Sequence, residues 1–435
     1  MKIFLLPADF KIFTEEDQII PESTINLKFN GNKNDLKREI YQTLAEKTGR
    51  YPKWGILTGI RPVKLTGELI RQMGSEALVC KRLSDYYLVH EEKIKLLIDI
   101  YHEQQKSLGT APENSVGVYI GIPFCPTRCL YCSFTSNQVE AKEISRYLEA
   151  LHKEINFVGK KMKANGLYPE SIYIGGGTPT TLTRDEMSIL LDWIIEDFDL
   201  SRIREITVEA GRPDTITLEK LQTLREHGVE RISINPQSMK EETLKIIGRS
   251  HTAAEIEEAF LKAKKVKMPI VNGDLIAGLP GESLEDFRES LTRLIDLEAE
   301  NITIHNLAVK RSSRLKDIDQ NFNYKQADLV EAMIDESREI LIRAGYRPYY
   351  LYKQKHTSGS TENIGYCKGN TLNIYNIRIM EERQTIVALG AGGITKVYFP
   401  LENRLERVPN VSNYEIYIER INEMLQRKQK DLFRR

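Results

Sequence analysis

Between residues 117 and 306 the chain alternates short apolar segments with longer, charged and amphipathic ones. The short segments are rich in Ile, Val or Tyr, which favour β-strands. Six are predicted as strands, at residues 118–122, 171–174, 205–209, 231–234, 270–276 and 301–305. Helices are predicted between them, as at 144–163, 217–227 and 252–265. This repetition predicts an α/β fold with a parallel sheet, and six units favour a partial barrel over an open sheet, although the pattern alone does not separate the two.

The segments on either side of this zone have a different pattern. Residues 1–110 are predicted as an N-terminal α/β accessory domain, with a first strand in MKIFLLPADF and a helix at 34–49 that Asn34 caps and Gly49 ends. The small, polar segment SLGTAPENSVG is predicted as a linker to a partial barrel at 115–320. Residues 321–435 are predicted as a C-terminal α+β extension. Its expected parts are a helix at 325–344, β-like pieces at 348–353 and 372–380, a loop at 357–371 and a glycine-rich turn at 389–393.

The overall charge of the chain gives it no preference for a charged partner. Its 435 residues include 62 Lys and Arg and 62 Asp and Glu, so the formal net charge is zero. This balance provides no global attraction to nucleic acid or to an anionic membrane. No run approaches the roughly 18 apolar residues of a membrane span, and the apolar N-terminal stretch is too short for a signal peptide. We therefore expect a cytoplasmic protein without a nucleic-acid partner, whose oligomeric state the sequence does not indicate.

Three of the five cysteines lie within eight residues, in the stretch CPTRCLYC, at Cys125, Cys129 and Cys132. In a cytosolic chain such a cluster indicates a metal site more than disulfides. Thiolates at this spacing fit on one loop around a cubane iron–sulfur cluster, each binding one iron. Three protein ligands leave one iron open, and the amino and carboxylate groups of S-adenosylmethionine could chelate it. Transfer of one electron to the sulfonium would then produce a 5′-deoxyadenosyl radical.

Two simpler interpretations of these cysteines remain open. A zinc site would need a fourth ligand, usually Cys or His. No histidine occurs between residues 119 and 140, so the nearest candidates are His102 and His152. The other alternative is three unrelated buried thiols. The remaining cysteines, Cys80 and Cys367, are expected to be free buried thiols.

Glycines and polar side chains recur where the predicted strands end. The second strand runs into GGGTP, whose glycines allow a ligand such as a methionyl amino group to approach the backbone, although a tight turn would also explain them. Carboxylates and amides at strand ends suit ribose hydroxyls and an ammonium group, but each one singly would more often be a cap or turn residue. The candidates are Glu209, Gln237 and Asp274, with Ala308 after the sixth strand. Arg249 could pair with a methionyl carboxylate, or it could be a surface arginine.

Together these stretches resemble the radical S-adenosylmethionine proteins and, more narrowly, the oxygen-independent coproporphyrinogen III oxidase family. The matching stretches are YIGIPFC (119–125), CLYC (129–132), GGGTPT (175–180), QS (237–238) and DLIAGLP (274–280). The match covers residues 117 to about 310. The flanks resemble the HemZ-type branch of the family, in WGILTGIRP (54–62), ERQTI (382–386) and LGAG (389–392).

The resemblance implies a fold, a set of cofactors and a role for each matching residue. The implied fold is a partial six-strand (β/α) radical SAM barrel with a [4Fe–4S] cluster at its top, bound by Cys125, Cys129 and Cys132. The positions that would contact cluster-bound S-adenosylmethionine are Tyr119, Gly176 and Glu209, and Tyr119 is also implied as catalytic. A second S-adenosylmethionine or the nucleoside pocket would involve Tyr131, Gly177, Thr178, Gln237, Arg249, Asp274 and Ala308.

The chain departs from the family at three places. The family's well-known oxidase has a histidine where Gly121 stands and a further cysteine where Phe134 stands. The ending of the cysteine motif in Cys-Ser-Phe is more similar to the related haem chaperones. Those chaperones carry a His-Asn-x-x-Tyr-Trp stretch, whereas the nearest segment here, NTLNIYN at 370–376, has no histidine. The accessory residues of neither subgroup are fully present.

The resemblance implies oxidative decarboxylation of coproporphyrinogen III to protoporphyrinogen IX, in which two propionates become vinyl groups. Reduced flavodoxin or ferredoxin would supply the electrons. The carboxylates of the tetrapyrrole need cations, and the candidates are Arg61, Lys64, Lys310, Arg311 and Arg347. Two other hypotheses are a haem-binding or haem-delivery protein and another radical tetrapyrrole enzyme, such as a haem-degrading one. The GAGG turn is compatible with a phosphate or carboxylate contact, but a backbone turn is the commoner explanation.

Overall fold

A computed structural model of the chain describes residues 4, 32–132, 136–309, 326–355 and 357–433. Within these ranges the strands are β1 Ser115–Ile122, β2 Tyr168–Gly176, β3 Glu205–Glu209, β4 Arg231–Gln237, β5 Ile270–Ala277, β6 Asn301–Asn306, β7 Arg347–Lys353, β8 Glu362–Cys367, β9 Ile386–Leu389, β10 Ile394–Phe399 and β11 Arg404–Pro409. The helices are α1 Lys33–Thr48, α2 Pro62–Met73, α3 Glu76–Asp85, α4 Glu91–Ser107, α5 Ala141–Ala164, α6 Arg184–Asp197, α7 Leu218–Glu226, α8 Glu241–Ile246, α9 Ala253–Lys265, α10 Leu284–Asp296, α11 Ala327–Arg343, α12 Ile374–Glu381, α13 Tyr414–Glu419 and α14 Ile421–Asp431. None of these helices is long and apolar enough to cross a membrane.

The six strands β1 to β6 lie side by side in chain order, and each pairs in parallel with the next. All six strands predicted from the sequence are confirmed, and most extend a few residues beyond the predicted ends. The crossover helices predicted at 144–163, 217–227 and 252–265 are confirmed as α5, α7 and α9. The chain therefore has the expected α/β fold with a central six-strand parallel section.

The two faces of this parallel section differ in character because side chains alternate along a strand. On β1, the fully buried Val118, Ile120 and Ile122 belong to the main apolar core, which also contains buried residues of the crossover helices. Tyr119, which lies between them in the sequence, points the other way and stacks on Tyr173 of β2. The sheet thus packs one face against helices and leaves an inner face, called the lumen below, for polar and aromatic groups.

The C-terminal segment adds strands to both edges of the parallel section. β8 pairs antiparallel with β6, and β7 lies beyond it. On the opposite edge, β9 pairs in parallel with β1, and β10 and β11 continue the sheet. One eleven-stranded sheet therefore joins the barrel zone and the C-terminal zone, while the domain boundaries at 110, 115 and 320 stay a prediction.

The prediction of a β-like piece at 372–380 is wrong, because helix α12 occupies this stretch. Asn373 caps the helix by accepting from the Asn376 N–H at 2.7 Å, and buried Ile374 and Ile377 lie three residues apart, which suits a helical face. Glu205, the first residue of β3, accepts from the Ile374 N–H at 3.3 Å. The helix therefore begins against the amino-terminal end of the barrel.

A buried ion pair completes this end of the barrel. Arg231, the first residue of β4, pairs with Glu205 at 3.0 Å and donates to the carbonyls of Thr371 and Leu372, just before α12. Further along the helix, Arg378 pairs with buried Glu170 of β2 at 3.0 Å. These charges compensate one another in a part of the fold that excludes water.

Three smaller predictions are corrected. The stretch 357–371 is not only a loop, since it contains the fully buried strand β8, which gains its pairing from β6 and β7 rather than from its own composition. The cap of α1 is Asn32, not Asn34, because the Asn32 side chain accepts from the N–H groups of Asn34 and Asp35. Residues 32–110 form four helices and no strand. The first strand predicted in MKIFLLPADF lies outside the described residues, apart from Phe4.

The glycine-rich turn after β9 is confirmed as a backbone turn, with Gly390 and Gly392 at positive φ. Its amides contact a carboxylate of the protein itself, because the Gly390 N–H donates to Glu154 of α5 at 2.7 Å. The other Glu154 oxygen pairs with Lys428 of α14 at 2.7 Å, and both side chains are fully buried. The turn thus lies in a buried polar network between the barrel and the C-terminal helices.

Candidate active site

The three clustered cysteines lie on a loop that follows the carboxyl end of β1. Backbone hydrogen bonds fix this loop: the Cys125 N–H donates to Asn137 O at 3.1 Å, and the Leu130 N–H donates to Ile247 O at 3.0 Å. Cys129 is buried, while Cys125 and Cys132 are partly exposed. The loop therefore presents three thiols at the end of the barrel where ligands gather in parallel α/β folds.

The surroundings of the cysteines suit a cluster bound by thiolates. Burial raises the pKa of Cys125 to about 11, so binding of iron would have to displace a proton. Thr178 Oγ1 lies 3.4 Å from Cys125 Sγ. Among the described residues, no three His, Cys, Asp or Glu side chains lie close enough together to hold one metal ion. A cubane makes a different demand, since each of its thiolates binds a different iron.

Arg212 follows the end of β3, is buried, and contacts the cysteine loop. Its guanidinium donates to the carbonyl and hydroxyl of Thr127 and lies 4.0 Å from Cys129 Sγ. Asp214 binds the other side of the guanidinium through both carboxylate oxygens, at 3.1 and 3.0 Å. An N–H group aimed at a ligand sulfur is one of the protein's means of tuning an iron–sulfur cluster.

The glycine stretch at the end of β2 packs directly on the cysteine loop. The N–H groups of Gly177 and Thr178 donate to the carbonyls of Ile122 and Phe124, both at 2.8 Å. A Cβ on Gly177 would lie 2.5 Å from Phe124 O, closer than atoms can approach. Glycine is therefore required here for contact between two loops of the protein.

Glu209, the last residue of β3, lies at the centre of the polar lumen. It accepts from Tyr173 Oη at 2.6 Å and from the Gly176 N–H at 3.2 Å. Burial raises the pKa of Glu209 to about 7, and the nearby Asp274 carboxylate acts in the same direction. The carboxyl group is thus poised near neutrality, which is a frequent property of functional sites.

Three stacked tyrosines line the lumen beside Glu209. Tyr119 and Tyr173 lie 6.3 Å apart between ring centroids, and Tyr375 of α12 stacks on Tyr173 at 4.7 Å. Burial raises the pKa of all three phenols, so they stay neutral at physiological pH. Helix α12 therefore contributes an aromatic residue to the site from outside the six-strand section.

Asp274 of β5 and His305 of β6 extend the polar lining to the other side. His305 Nε2 lies 3.3 Å from Asp274 Oδ2, and its Nδ1 lies 3.1 Å from Tyr352 Oη. The second Asp274 oxygen accepts from Asn272 Nδ2 at 2.7 Å. These side chains form a chain of hydrogen-bonding groups across β5, β6 and β7.

Gln237 and Arg249 complete the end of the lumen beside the cysteine loop. Gln237 has a positive φ of 69°, and its buried Oε1 has no hydrogen-bond partner in the described structure. Arg249 is buried rather than on the surface, and it donates to the carbonyls of Gly211 and Asn235 and to Tyr131 Oη. Its Nε also has no partner among the described residues. Backbone strain and unpaired buried atoms are typical of ligand sites.

The structure brings most of the predicted site residues together. Direct contacts join the cysteine loop to Thr178, the glycine stretch to Glu209, and Arg249 to Tyr131. Ala308 stands apart from these contacts and forms an antiparallel bridge with Thr357.

The predicted substrate cations are not gathered at the cysteine end. Arg61 and Lys64 line a pocket elsewhere, and Arg347 pairs with Glu103 at 3.0 Å. Lys310, Arg311 and Phe134 lie outside the described residues. The predicted substrate cations that the structure describes, Arg61, Lys64 and Arg347, therefore do not surround the predicted site.

Several residues of the site were missed in the sequence. They are Tyr173, Arg212, His305, Tyr352 and Tyr375. Tyr173 and His305 could have been found, because each lies on a predicted strand near its carboxyl end. Arg212 could also have been found, because it follows the end of a predicted strand, Glu209, by three residues. Tyr375 could not have been found in this way, because the sequence analysis assigned it to a β-like piece.

Comparison with known proteins identifies the class that this fold and site define. Residues 119–294, which include the cysteine loop and most of the parallel section, match the model of the Radical SAM superfamily. That superfamily implies a [4Fe–4S] cluster and S-adenosylmethionine, and three thiols beside a polar lumen fit both groups. The chain therefore contains a radical SAM domain.

A second comparison, with individual proteins, covers nearly the whole chain. It is 39% identical over 420 residues to the oxygen-independent coproporphyrinogen-III oxidase-like protein HemZ of Bacillus subtilis (strain 168), covering 95% of this chain and 83% of that one. The chain belongs to the HemZ family. It is also 34% identical over 194 residues to the heme chaperone HemW of the same organism, covering 44% of this chain and 50% of that one.

Among solved structures, the chain is similar to coproporphyrinogen III oxidase (HemN) from Escherichia coli. The TM-score is 0.58, with 21% identity over 75% of this chain and 73% of that one. At this identity the similarity supports the fold, the partial radical SAM barrel, and carries no statement about substrate.

Proposed function

We propose that the chain is an oxygen-independent coproporphyrinogen III oxidase, which converts two propionates of coproporphyrinogen III into the vinyl groups of protoporphyrinogen IX. The observation that carries the proposal is the meeting of three clustered thiols with Glu209, Gln237 and Arg249 at one end of the barrel. Membership of the HemZ family supports a tetrapyrrole substrate. When bound, the cluster and S-adenosylmethionine would supply the radical chemistry that removes a β-hydrogen from each propionate, with loss of carbon dioxide and transfer of one electron to an external acceptor.

The cysteine loop and its supports would hold the cluster. Cys125, Cys129 and Cys132 would bind as thiolates, with release of their protons. Arg212 would direct an N–H group at the Cys129 sulfur and keep the loop in place through Thr127.

The lumen would hold the nucleoside and the methionyl group. Glu209, as a carboxylate, would accept from ribose hydroxyls or an ammonium, and the unpaired Gln237 Oε1 would accept a further hydrogen bond. Tyr119 would form an aromatic wall that shields the reacting atoms from water. The residues proposed for a second S-adenosylmethionine or the nucleoside pocket are Tyr131, Gly177, Thr178, Gln237, Arg249, Asp274 and Ala308.

The deciding experiment is an anaerobic assay with reconstituted protein, S-adenosylmethionine, coproporphyrinogen III and reduced flavodoxin or ferredoxin. We expect 5′-deoxyadenosine, carbon dioxide and a product lighter than the substrate by two molecules of carbon dioxide and four hydrogen atoms. A Cys129→Ser variant should lose all three products because one iron loses its ligand. Cys80→Ser is the matched control, since Cys80 lies on α3, away from the site, and should retain activity.

Two outcomes would contradict the oxidase proposal. Formation of 5′-deoxyadenosine without a vinyl product would exclude the oxidase and point to another radical reaction on a tetrapyrrole. Tight haem binding without turnover would favour the second candidate, a haem-binding protein. The similarity to HemW over 194 residues is the observation that keeps this candidate in view.

A further inference from the structure

A second pocket lies at the opposite end of the barrel from the cysteine loop. It has a volume of about 240 Å³ and is bounded by α2, α4, the residues before β1 and the end of α12. Residues 109–111 precede β1 and Arg383 precedes β9, so the pocket is at the amino ends of these parallel strands. The eight residues of β1, about 26 Å of extended chain, separate it from the cysteine loop.

Two motifs that the candidate active site does not use meet at this pocket. Arg61, from the WGILTGIRP stretch, pairs with Glu382 of the ERQTI stretch at 3.0 Å. Lys64 pairs with the second oxygen of Glu382 at 3.2 Å. Glu382 reaches these cations from a left-handed backbone position, φ 52°, at the end of α12. The ion pair joins the two stretches, so that both contribute to the surface around the pocket.

The pocket has more positive charge than the protein neutralises. Four cations line it, namely Arg61, Lys64, Arg71 and Arg383, against the single carboxylate of Glu381. Glu381 already pairs with Arg378 at 3.2 Å.

The neighbouring Glu382 is shared among several cations. Besides Arg61 and Lys64, it pairs with Lys396 at 3.5 Å and Arg407 at 3.9 Å. Burial, followed by the charge of Arg61, lowers the pKa of Lys396 to about 8. Lys64 also lies 4.0 Å from Glu68, so three carboxylates, Glu381, Glu382 and Glu68, serve a larger number of cations in this region.

Arg71, which is exposed, and Arg383, which is partly buried, are the two lining cations without a paired carboxylate. Neither guanidinium makes a hydrogen bond or ion pair with another described residue, and Arg383 Nε is buried without a partner. Burial and then the charge of Arg383 lower the pKa of Arg71, so the two like charges act on each other across the pocket. Glu381 acts on Arg383 and Glu68 acts on Arg71 through their charges, but neither carboxylate forms a hydrogen bond or ion pair with these guanidiniums, whose N–H groups therefore suit an anion.

The remaining walls of the pocket are partly apolar. Val63, Tyr101, Leu351 and Met380 line it, together with the amides of Gln104 and Gln105. The volume of about 240 Å³ is enough for a small organic acid. The bound molecule therefore needs a hydrocarbon part as well as an anionic group.

We propose that this pocket binds a small organic carboxylate, held between Arg71 and Arg383 with its hydrocarbon part against Val63, Leu351 and Met380. The site is independent of the radical reaction, because it shares no residue with the cysteine loop or the lumen. The proposal gives a binding role to the WGILTGIRP and ERQTI stretches, which the candidate active site does not use.

Calorimetric titration of the reconstituted full chain with benzoate tests the proposal, with inorganic phosphate as the second probe. We expect saturable benzoate binding that is at least tenfold weaker in Arg71→Gln and Arg383→Gln. Arg343→Gln, an exposed arginine on α11, is the matched control and should bind as the unmodified protein does. Unchanged cluster absorbance in each variant would show that the fold is intact.

A chemical footprint on the unmutated protein provides a readout that no folding defect can imitate. Benzoate should protect Arg71 and Arg383 from phenylglyoxal, measured by peptide mass spectrometry, while Arg343 stays equally reactive. Equal affinity in the variants, absence of protection, or tighter binding of inorganic phosphate than of benzoate would each overturn the proposal. None of these results depends on whether the chain oxidises coproporphyrinogen.

Discussion

At the scale of single residues, Arg212 links the loop after β3 to the predicted cluster ligands. It is buried, bound on one side by Asp214 and directed at Thr127 and the Cys129 sulfur on the other. Hydrogen bonds from a charged group contribute about 1.5–3 kcal/mol. We expect Arg212→Gln to lose its cluster roughly tenfold faster on exposure to a chelator, followed by the visible absorbance of the reconstituted protein.

The conservative variant separates charge from geometry. Arg212→Lys keeps the positive charge but cannot make the two parallel bonds to Asp214, so it should fall between Arg212→Gln and the unmodified protein. Arg204→Gln is the matched control, because Arg204 is a partly exposed arginine that pairs with Glu170 away from the cysteine loop. Cluster loss at the same rate in Arg212→Gln and the control would refute the role.

Glu209 should make the folded protein less stable at neutral pH than at acidic pH, and it should also be required for binding S-adenosylmethionine. Its pKa is about 7 in the folded protein and about 4.5 in the unfolded chain, so the folded state holds the extra proton between these values. Stability therefore falls as pH rises from about 4.5 to 7, by on the order of 3 kcal/mol. We expect Glu209→Gln to remove this loss and raise the thermal midpoint at pH 8 more than at pH 5.

The same variant should bind S-adenosylmethionine at least tenfold more weakly, measured with the reconstituted protein at pH 8. The expected reason is that the amide can no longer offer a charged acceptor to the ligand. Glu282→Gln is the control, since burial also raises the pKa of Glu282 to about 7 but its partner is Ser238. If Glu209→Gln binds normally and shows no gain in stability at pH 8, the assignment fails.

At the scale of elements, the end of β2 and the cysteine loop form one unit. A Cβ on Gly177 would overlap Phe124 O, so Gly177→Ala should push the loop away at a cost of about 1–3 kcal/mol. We expect clearly lower iron content after reconstitution, with the circular dichroism of the fold retained. Gly59→Ala is the control, because no atom lies within 4 Å of a Cβ there and its φ is not positive. Full iron content in Gly177→Ala would contradict the expectation.

The six parallel strands could be predicted because each carries a β-branched or aromatic run between helical segments. The strand β8 could not, since its residues include Glu362, Asn363 and Gly365, and its stability depends on partners from distant segments. Glu362, for instance, pairs with Lys93 of α4 at 2.7 Å. Helix α12 was hidden because its apolar residues fit a strand nearly as well as a helix.

The residues of the site divide in the same way, into those with a local sequence signal and those that depend on distant segments. Residues at the carboxyl ends of predicted strands, such as Glu209 and Gln237, were found because topology places strand ends together. Tyr375 was not, because it enters the lumen from a helix whose position depends on Glu205 and Arg231. Contacts between segments far apart in the chain carry no local signal.

At the scale of the whole molecule, the buried pair of Glu154 and Lys428 connects the C-terminal helices to the barrel. Removal of one partner leaves an uncompensated buried charge, which typically costs about 3–5 kcal/mol. We expect Lys428→Met to lower the thermal midpoint strongly and the double variant Glu154→Gln/Lys428→Met to recover much of it. Lys95→Met, in an exposed pair with Asp99, is the control and should cost about 0–1 kcal/mol. Equal effects of Lys428→Met and Lys95→Met would contradict the role of the pair.

The position of β9 beside β1 has a consequence for how the protein is made. β1 leaves the ribosome early, but its outer neighbour ends at Leu389, 267 residues after Ile122. At about 5–20 residues per second, the edge of β1 stays unpaired for roughly 15–50 s of synthesis. During that interval the nascent chain offers an open strand edge next to the unfinished cysteine loop. The sheet beside the cysteine loop is therefore complete only after most of the chain has been made.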